Sequence, residues 1–358
     1  MKLEKLEEYR TDDGRINIDE VEKEYRIQKM PETRGASNKE KDWFKMEDGD
    51  VLIRTENLQD EGVLYTTYAE LIFEELAKQV DIPCAHYDLV KYNGKNGVLS
   101  QNVARDGESL VLLKDLLECS DRKHDIGDDQ NIHVEDAINS FKTFYREYGD
   151  FSKEDYVRLC NDFANMAIFD VYAMSTDRHA ENCGVLYDGK RVRLAPMFDN
   201  ECSLMLDSSQ EKIQMLLNNR LKLINYAELE SQRIYYTYDD EEFIGNDSSI
   251  NKLLSDMLAN SDVDISEKED WQTTIFNLSE FGEEQRDFIK KCDKKLNITK
   301  AIEAVEHRIG TKLPDELSQF VEAAFNSRKE LIREELVLDD IEEEREDITN
   351  DENNHILG

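Results

Sequence analysis

Long apolar runs are missing from this sequence. No stretch approaches the roughly 20 consecutive apolar residues that span a bilayer, so a membrane-spanning helix is not expected. The opening MKLEKLEEYR is charged throughout and has no apolar centre, so it does not read as a signal peptide. Paired cysteines are missing too. The six cysteines (Cys84, Cys119, Cys160, Cys183, Cys202 and Cys292) are scattered without a Cys-x-x-Cys spacing. That points to reduced, mostly buried thiols in a cytoplasmic protein rather than a disulfide framework. The six histidines stand in no metal-ligand spacing with them, so a zinc site is not expected. Positive charge is scarce: Lys and Arg total 45 against 81 Asp and Glu, a net charge of −36. Such a chain repels phosphate backbones and anionic headgroups, so neither direct nucleic-acid binding nor a membrane partner is expected. Most of the charge serves solubility. There is no Walker A motif, no Gly-x-Gly-x-x-Gly loop and no internal repeat.

What is present is enough apolar residue, 39% of 358 with 9% aromatic, to build a core for one two-lobed unit or two domains. Residues 1–34 are polar, with no long periodicity. From Gly35 to Val103 the pattern reads as strands around one helix. Asp42–Met46 and Asp50–Thr55 are strands joined by the turn Glu47-Asp48-Gly49. Thr67–Val80 has helical spacing and is broken by Ile82-Pro83. His86–Tyr92 and Gly97–Val103 flank Asn93-Gly94, a hairpin signal. Beyond Val103 the texture turns helical. Cys119–Asn131 is a polar loop, and Ser152-Lys153-Glu154-Asp155 reads as a capping box. The helix behind it ends, over Ala167–Met174, apolar on nearly every side and hence deeply buried. Segments near 209–229, 248–260, 283–292 and 300–338 also have helical spacing. From Asp339 onward the chain is mostly acidic and is expected to be a disordered tail. Trp43 and Trp271 read as packing residues. A β-rich part followed by a helical part implies an α+β fold, not a doubly wound parallel sheet. The domains are expected at 1–105, 106–338 and 339–358.

One segment carries chemistry. The buried helix runs into Ser175-Thr176-Asp177-Arg178-His179-Ala180-Glu181-Asn182. A hairpin follows, with Asp188-Gly189 at its turn, and then Ala195-Pro196-Met197-Phe198-Asp199-Asn200. Phosphoryl transfer needs one carboxylate to orient the attacking hydroxyl and hard oxygen ligands to hold magnesium on the phosphates. An Asp-x-x-x-x-Asn loop with a third Asp beyond a hairpin supplies that set. Protein kinases use the same spacing.

The words STDRHAENCGVL and RLAPMFDN resemble the catalytic and metal-binding segments of the HipA-like kinases, with Ser175 where that family usually has Asn. The resemblance covers about residues 35–210 and implies a two-lobed, protein-kinase-like fold with a small β-rich lobe and a larger helical one. It makes Asp177 the catalytic base, makes Asn182 and Asp199 the magnesium ligands, and makes ATP the phosphoryl donor. His179 is expected to pack and hydrogen-bond within the loop. Arg34–Lys41 resembles the family's phosphate loop, which places Gly35, Ala36, Ser37 and Lys39 near the nucleotide and nominates Ser37 for autophosphorylation. AELIFEELAKQVDIP resembles the helix whose Glu faces a nucleotide-binding lysine. The Glu is then Glu70 and the lysine's place falls to Arg54, with Lys45 as the other candidate. Gln101 and Val103 fall where the family's hinge meets adenine. Only 34 residues precede Gly35, so a short, stand-alone member lacking the extra N-terminal subdomain is expected. The function implied is a cytoplasmic Ser/Thr protein kinase with an unidentified protein substrate and a small helix-turn-helix antitoxin as a partner to look for. Two rivals are a nucleotide-binding pseudokinase and a small-molecule or lipid kinase.

Overall fold

The computed structural model describes residues 1–25, 28–30, 41–55, 65–119, 132–148, 151–229, 234–235 and 278–336. The smaller lobe comprises a 3-10 turn at Leu3–Tyr9, β1 (Ile16–Asn17), α1 (Ile18–Tyr25), β2 (Gln28–Lys29), β3 (Lys41–Lys45), β4 (Asp50–Thr55), α2 (Thr66–Gln79), β5 (Tyr87–Tyr92) and β6 (Lys95–Gln101). Its six strands lie in the order β1-β5-β6-β4-β3-β2, and each pair is antiparallel except β1 with β5. Two local features fix the register. Asn93 and Gly94 both take positive φ, 52° and 72°, the turn whose twist suits a hairpin. At Gly97 a β-carbon would collide with the carbonyl oxygen of Arg54, so the strands approach closely at that arginine and a larger residue would part them.

The larger lobe comprises β7 (Ser109–Leu112), α3 (Leu113–Glu118), β8 (Ile132–His133), α4 (Val134–Glu147), α5 (Lys153–Ala173), β9 (Gly184–Tyr187), β10 (Val192–Leu194), α6 (Gln210–Leu217), α7 (Arg220–Leu229), β11 (Ile234–Tyr235), α8 (Leu278–Lys295), α9 (Ile298–Ile309) and α10 (Asp315–Leu336). α5 begins at its predicted cap, where the Ser152 hydroxyl accepts a hydrogen bond from the Asp155 N–H at 3.1 Å. Residues 166–175 are all buried. One apolar core runs from α2 through α5 to α9 and α10. No described helix is long and apolar enough to cross a membrane.

The fold corrects several expectations. The N-terminal residues build part of the first sheet, and Leu6, Ile16, Ile18 and Val21 form a second core with Phe44, Val51 and Leu99. Each of these elements offers only one to three apolar residues, too few to show a period. β7 is a strand inside the stretch read as helical. It pairs with β9 to make a three-stranded sheet with β10, and it was hidden because SLVL runs straight into the apolar start of α3. β6 ends at Gln101, two residues before Val103. The segment at 209–229 is two helices, parted at Asn218-Asn219. The phosphate loop with Gly35, Ala36, Ser37 and Lys39, the helical segment 248–260, Trp271 and the acidic tail lie outside the described residues.

α9 fastens α2 from behind. The Asn297 N–H donates to Gln79 Oε1 at 2.7 Å, and Gln79 Nε2 donates back to the Asn297 carbonyl at 3.0 Å. Arg308 reaches the buried Glu74 at 2.8 Å and Glu75 at 3.2 Å. Glu74 also accepts from the Tyr87 N–H at 3.1 Å and faces His86 at 2.8 Å and Lys78 at 2.7 Å. Burial pulls the Glu74 carboxyl up, but His86, Arg308 and Lys78 outweigh it and hold it down at about 2. A carboxyl held below its ordinary 4.5 adds stability above that pH and loses it as the pH falls toward 2. E74Q is therefore expected to lose up to about 3 kcal/mol at neutral pH, with the gap to wild type closing below pH 4.5. Urea unfolding across pH checks this; a gap constant with pH contradicts it.

Candidate active site

The site forms where the end of β4, the middle of α2 and two loops of the larger lobe meet. Arg54 is one residue from the end of β4 and is only 5% exposed. Its Nη2 bonds Glu70 Oε1, its Nη1 bonds Asp199 Oδ1, and Nη1 also lies 3.7 Å from Glu201 Oε2. Glu70 is fully buried. Burial pushes its carboxyl up to about 7 against the pull of Arg54, and the Glu201 and Asp199 charges push the same way. Burial alone would lower the Arg54 pKa, but Glu70, Asp199 and Glu201 raise it well above its ordinary value, so the guanidinium stays charged. The fold thus brings Arg54, and not Lys45, to Glu70. Lys45 is exposed and pairs with Asp50 at the far end of the same strands, while Lys41 pairs with Arg54. The four residue steps from Lys41 to Lys45 span about 13 Å of strand.

The loop with Asp177 leaves α5 through Met174, whose φ of 50° turns the chain. Asp177 keeps its side chain about one-third exposed. Its carbonyl accepts from the Asn182 side-chain amide at 2.9 Å and from the His179 N–H at 3.0 Å. The first of these bonds orients the Asn182 amide and ties both ends of the Asp-x-x-x-x-Asn loop together. His179 Nδ1 accepts from the Glu181 N–H at 3.2 Å.

Arg178 holds the two loops to each other and is wholly buried. It forks onto Asp170 of α5, with Nε to Oδ2 at 3.0 Å and Nη2 to Oδ1 at 3.2 Å. Its Nη1 donates to the Asn182 carbonyl at 3.1 Å and to the Phe198 carbonyl at 2.8 Å, and its Nη2 donates to Asn200 Oδ1. Asn200 in turn donates to the Tyr87 hydroxyl at 3.0 Å. The Thr176 N–H donates to the Cys202 carbonyl at 2.9 Å. Between these anchors Asp199 takes a φ of 57°, a left-handed conformation that Asp tolerates better than most residues.

Sequence reasoning missed Asp170, Arg178 as the hub, and Glu201. A signal for Asp170 was available: a carboxylate in a helix apolar on every side needs a buried cation. Glu201 had none. At the expected hinge, the Gln101 N–H donates to the His86 carbonyl and the Asn102 N–H to the Asp50 carbonyl, both at 2.9 Å, so neither serves a purine unless those bonds open. Val103 is half-buried against the core.

The donor set fits a magnesium nucleotide. Among the described residues Arg54 Nε is buried and has no hydrogen-bond partner, which suits a phosphate oxygen. Among the described residues no group of three or more His, Cys, Asp and Glu converges as a metal cage. Magnesium is ordinarily held by one or two carboxylates together with phosphates and waters, so a full protein cage is not what such an ion requires.

The model of the HipA-like C-terminal domain matches residues 38–262. Among solved structures, the proinflammatory kinase CtkA of Helicobacter pylori is similar at 12% identity and a TM-score of 0.58, over 85% of this chain and 92% of that one. HipA of Shewanella oneidensis MR-1, solved with HipB and operator DNA, is similar at 11% identity and a TM-score of 0.49, over 88% of this chain and 70% of that one. No curated protein matches. The likeness to CtkA at that identity shows a shared kinase fold. The family match extends over more than half of the residues, and the chain belongs to the HipA-like C-terminal domain family.

Proposed function

We propose that this protein is an ATP- and Mg²⁺-dependent Ser/Thr protein kinase. The observation that carries this reading is Arg54, a buried cation that joins Glu70 on α2 to Asp199 on the opposite loop and keeps Nε for a phosphate. In this reading Asp199 and Asn182 hold the metal, and Asp177 orients the substrate hydroxyl and accepts its proton. Arg178 keeps Asp177, Asn182 and Asp199 in register. Bound magnesium would neutralise charge developing on the transferred phosphoryl group. D199A is expected to abolish magnesium-dependent nucleotide binding while the fold survives, because Arg54 keeps Glu70 and Glu201 as partners. Calorimetry with ATP and Mg²⁺ checks this, and unchanged affinity contradicts the assignment.

Arg54 itself is testable. R54A should weaken ATP binding by roughly tenfold or more, since it removes a charge-assisted contact and takes the guanidinium from the buried Glu70. R54K should keep or raise activity. If K45A does the damage instead, Lys45 is the phosphate ligand. Ser37 is the residue we nominate for autophosphorylation. A phosphoryl group there adds roughly −1.5 to −2 charge beside the nucleotide phosphates and would exclude them. Phosphopeptide mapping after incubation with ATP and Mg²⁺ tests it. Family membership makes a small helix-turn-helix antitoxin the partner to test for. One observation favours the pseudokinase alternative: Arg54 engages the same carboxylate that a metal needs.

A further inference from the structure

Arg54 Nη1 stands between two carboxylates of one loop, bonded to Asp199 and 3.7 Å from Glu201. Its Nη2 is committed to Glu70. A magnesium ion bound at Asp199 would draw on the carboxylate that Nη1 holds. When Asp199 turns to a metal, a guanidinium only 5% exposed keeps Glu70 but loses the acceptor of its Nη1, and a buried N–H without an acceptor costs free energy. Glu201 is placed to prevent that. Its neighbours are pinned, Asn200 by Arg178 and Tyr87, and Cys202 by the Thr176 N–H. The backbone of Glu201 is thereby fixed with its carboxylate beside Arg54.

We infer that Glu201 is a positioning residue for metal loading: it takes over Arg54 Nη1 as Asp199 is handed to magnesium. The inference rests on the kinase reading above. It also gives the arginine a purpose that lysine could not serve. A guanidinium can keep one nitrogen on Glu70 while another passes from Asp199 to Glu201, whereas an ammonium is a single point of charge.

The test is the Mg²⁺ dependence of ATP binding, measured by calorimetry on the full chain for wild type, E201Q, E201D and R54K, and for E201Q in the R54K background. Glu201 is about one-fifth exposed, so E201Q should fold, and thermal unfolding confirms it. E201Q is expected to raise the Mg²⁺ concentration at half-saturation by roughly three- to tenfold, the range of a modest ion-pair coupling. E201D should fall between the two. R54K should lower that concentration, and in its background E201Q should have little further effect. An unchanged midpoint in E201Q overturns the inference. An equal shift in the R54K background also overturns it, because Glu201 would then act on the metal without Arg54. Wild type that binds ATP without regard to Mg²⁺ sinks the kinase reading itself, and the inference with it.

Discussion

D177A and D177N are expected to lose roughly 10²- to 10⁴-fold in phosphoryl transfer, the usual contribution of a positioned general base, while binding of Mg²⁺·ATP stays close to wild type. The separation follows from the geometry. Asp177 holds the loop through its carbonyl, which accepts from the Asn182 amide and the His179 N–H, and substitution of the side chain leaves that carbonyl in place. The carboxylate is about one-third exposed, and in the proposed reading it is the group that meets the incoming hydroxyl. Phosphoryl transfer is mostly positioning and charge stabilisation, so loss of this one group should lower turnover rather than nucleotide affinity. ADP formation beside calorimetry reads both. Wild-type turnover in either variant removes Asp177 from the mechanism.

D170A is expected to destabilise the fold more than E74Q, R54A, D177A, D199A or E201Q. Asp170 and Arg178 are both fully buried and paired through a two-pronged contact. Burial pushes the Asp170 carboxyl up, and Arg178 pulls against it. Removing one member of a buried pair leaves the other charge without compensation, at about 3–5 kcal/mol. The effect should also spread, because Arg178 carries hydrogen bonds to the Asn182 and Phe198 carbonyls and to Asn200. A guanidinium without its anchor loosens both loops, so D170A should weaken Mg²⁺·ATP binding although Asp170 touches no ligand. The double variant D170A/R178M should be less destabilised than the two single losses summed. Urea unfolding measures this cycle, and simple additivity would mean that the pair does not act as a unit.

The elements whose own period is long were legible in the sequence: α2, α5, the β3–β4 pair and the hairpin at Asn93-Gly94 all lie within a few residues of the expected bounds. Spacing singled out Asp177, Asn182 and Asp199, and they lie on the two loops that Arg178 joins; the family resemblance implied a cation opposite Glu70, either Arg54 or Lys45, and the fold brings Arg54 there. What was not legible depends on tertiary contact. β1 and α1 are too short to announce themselves and exist because β5 offers an edge and Phe44 and Val51 a core. Arg178 looks in sequence like one more polar residue of the loop after Asp177, and only the fold shows it spanning Asp170, Asn182 and Asn200. Glu201 is one acid among 81, and nothing local marks it as the carboxylate beside Arg54.

The proposed chemistry is transfer of a phosphoryl group from ATP at this site. The most direct measurement is the intact mass of the protein after incubation with ATP and Mg²⁺, for wild type and D177A side by side. Added phosphoryl mass is expected on wild type and none on D177A. Wild type that binds Mg²⁺·ATP and gains no mass, or D177A labelled to the same extent, would contradict it.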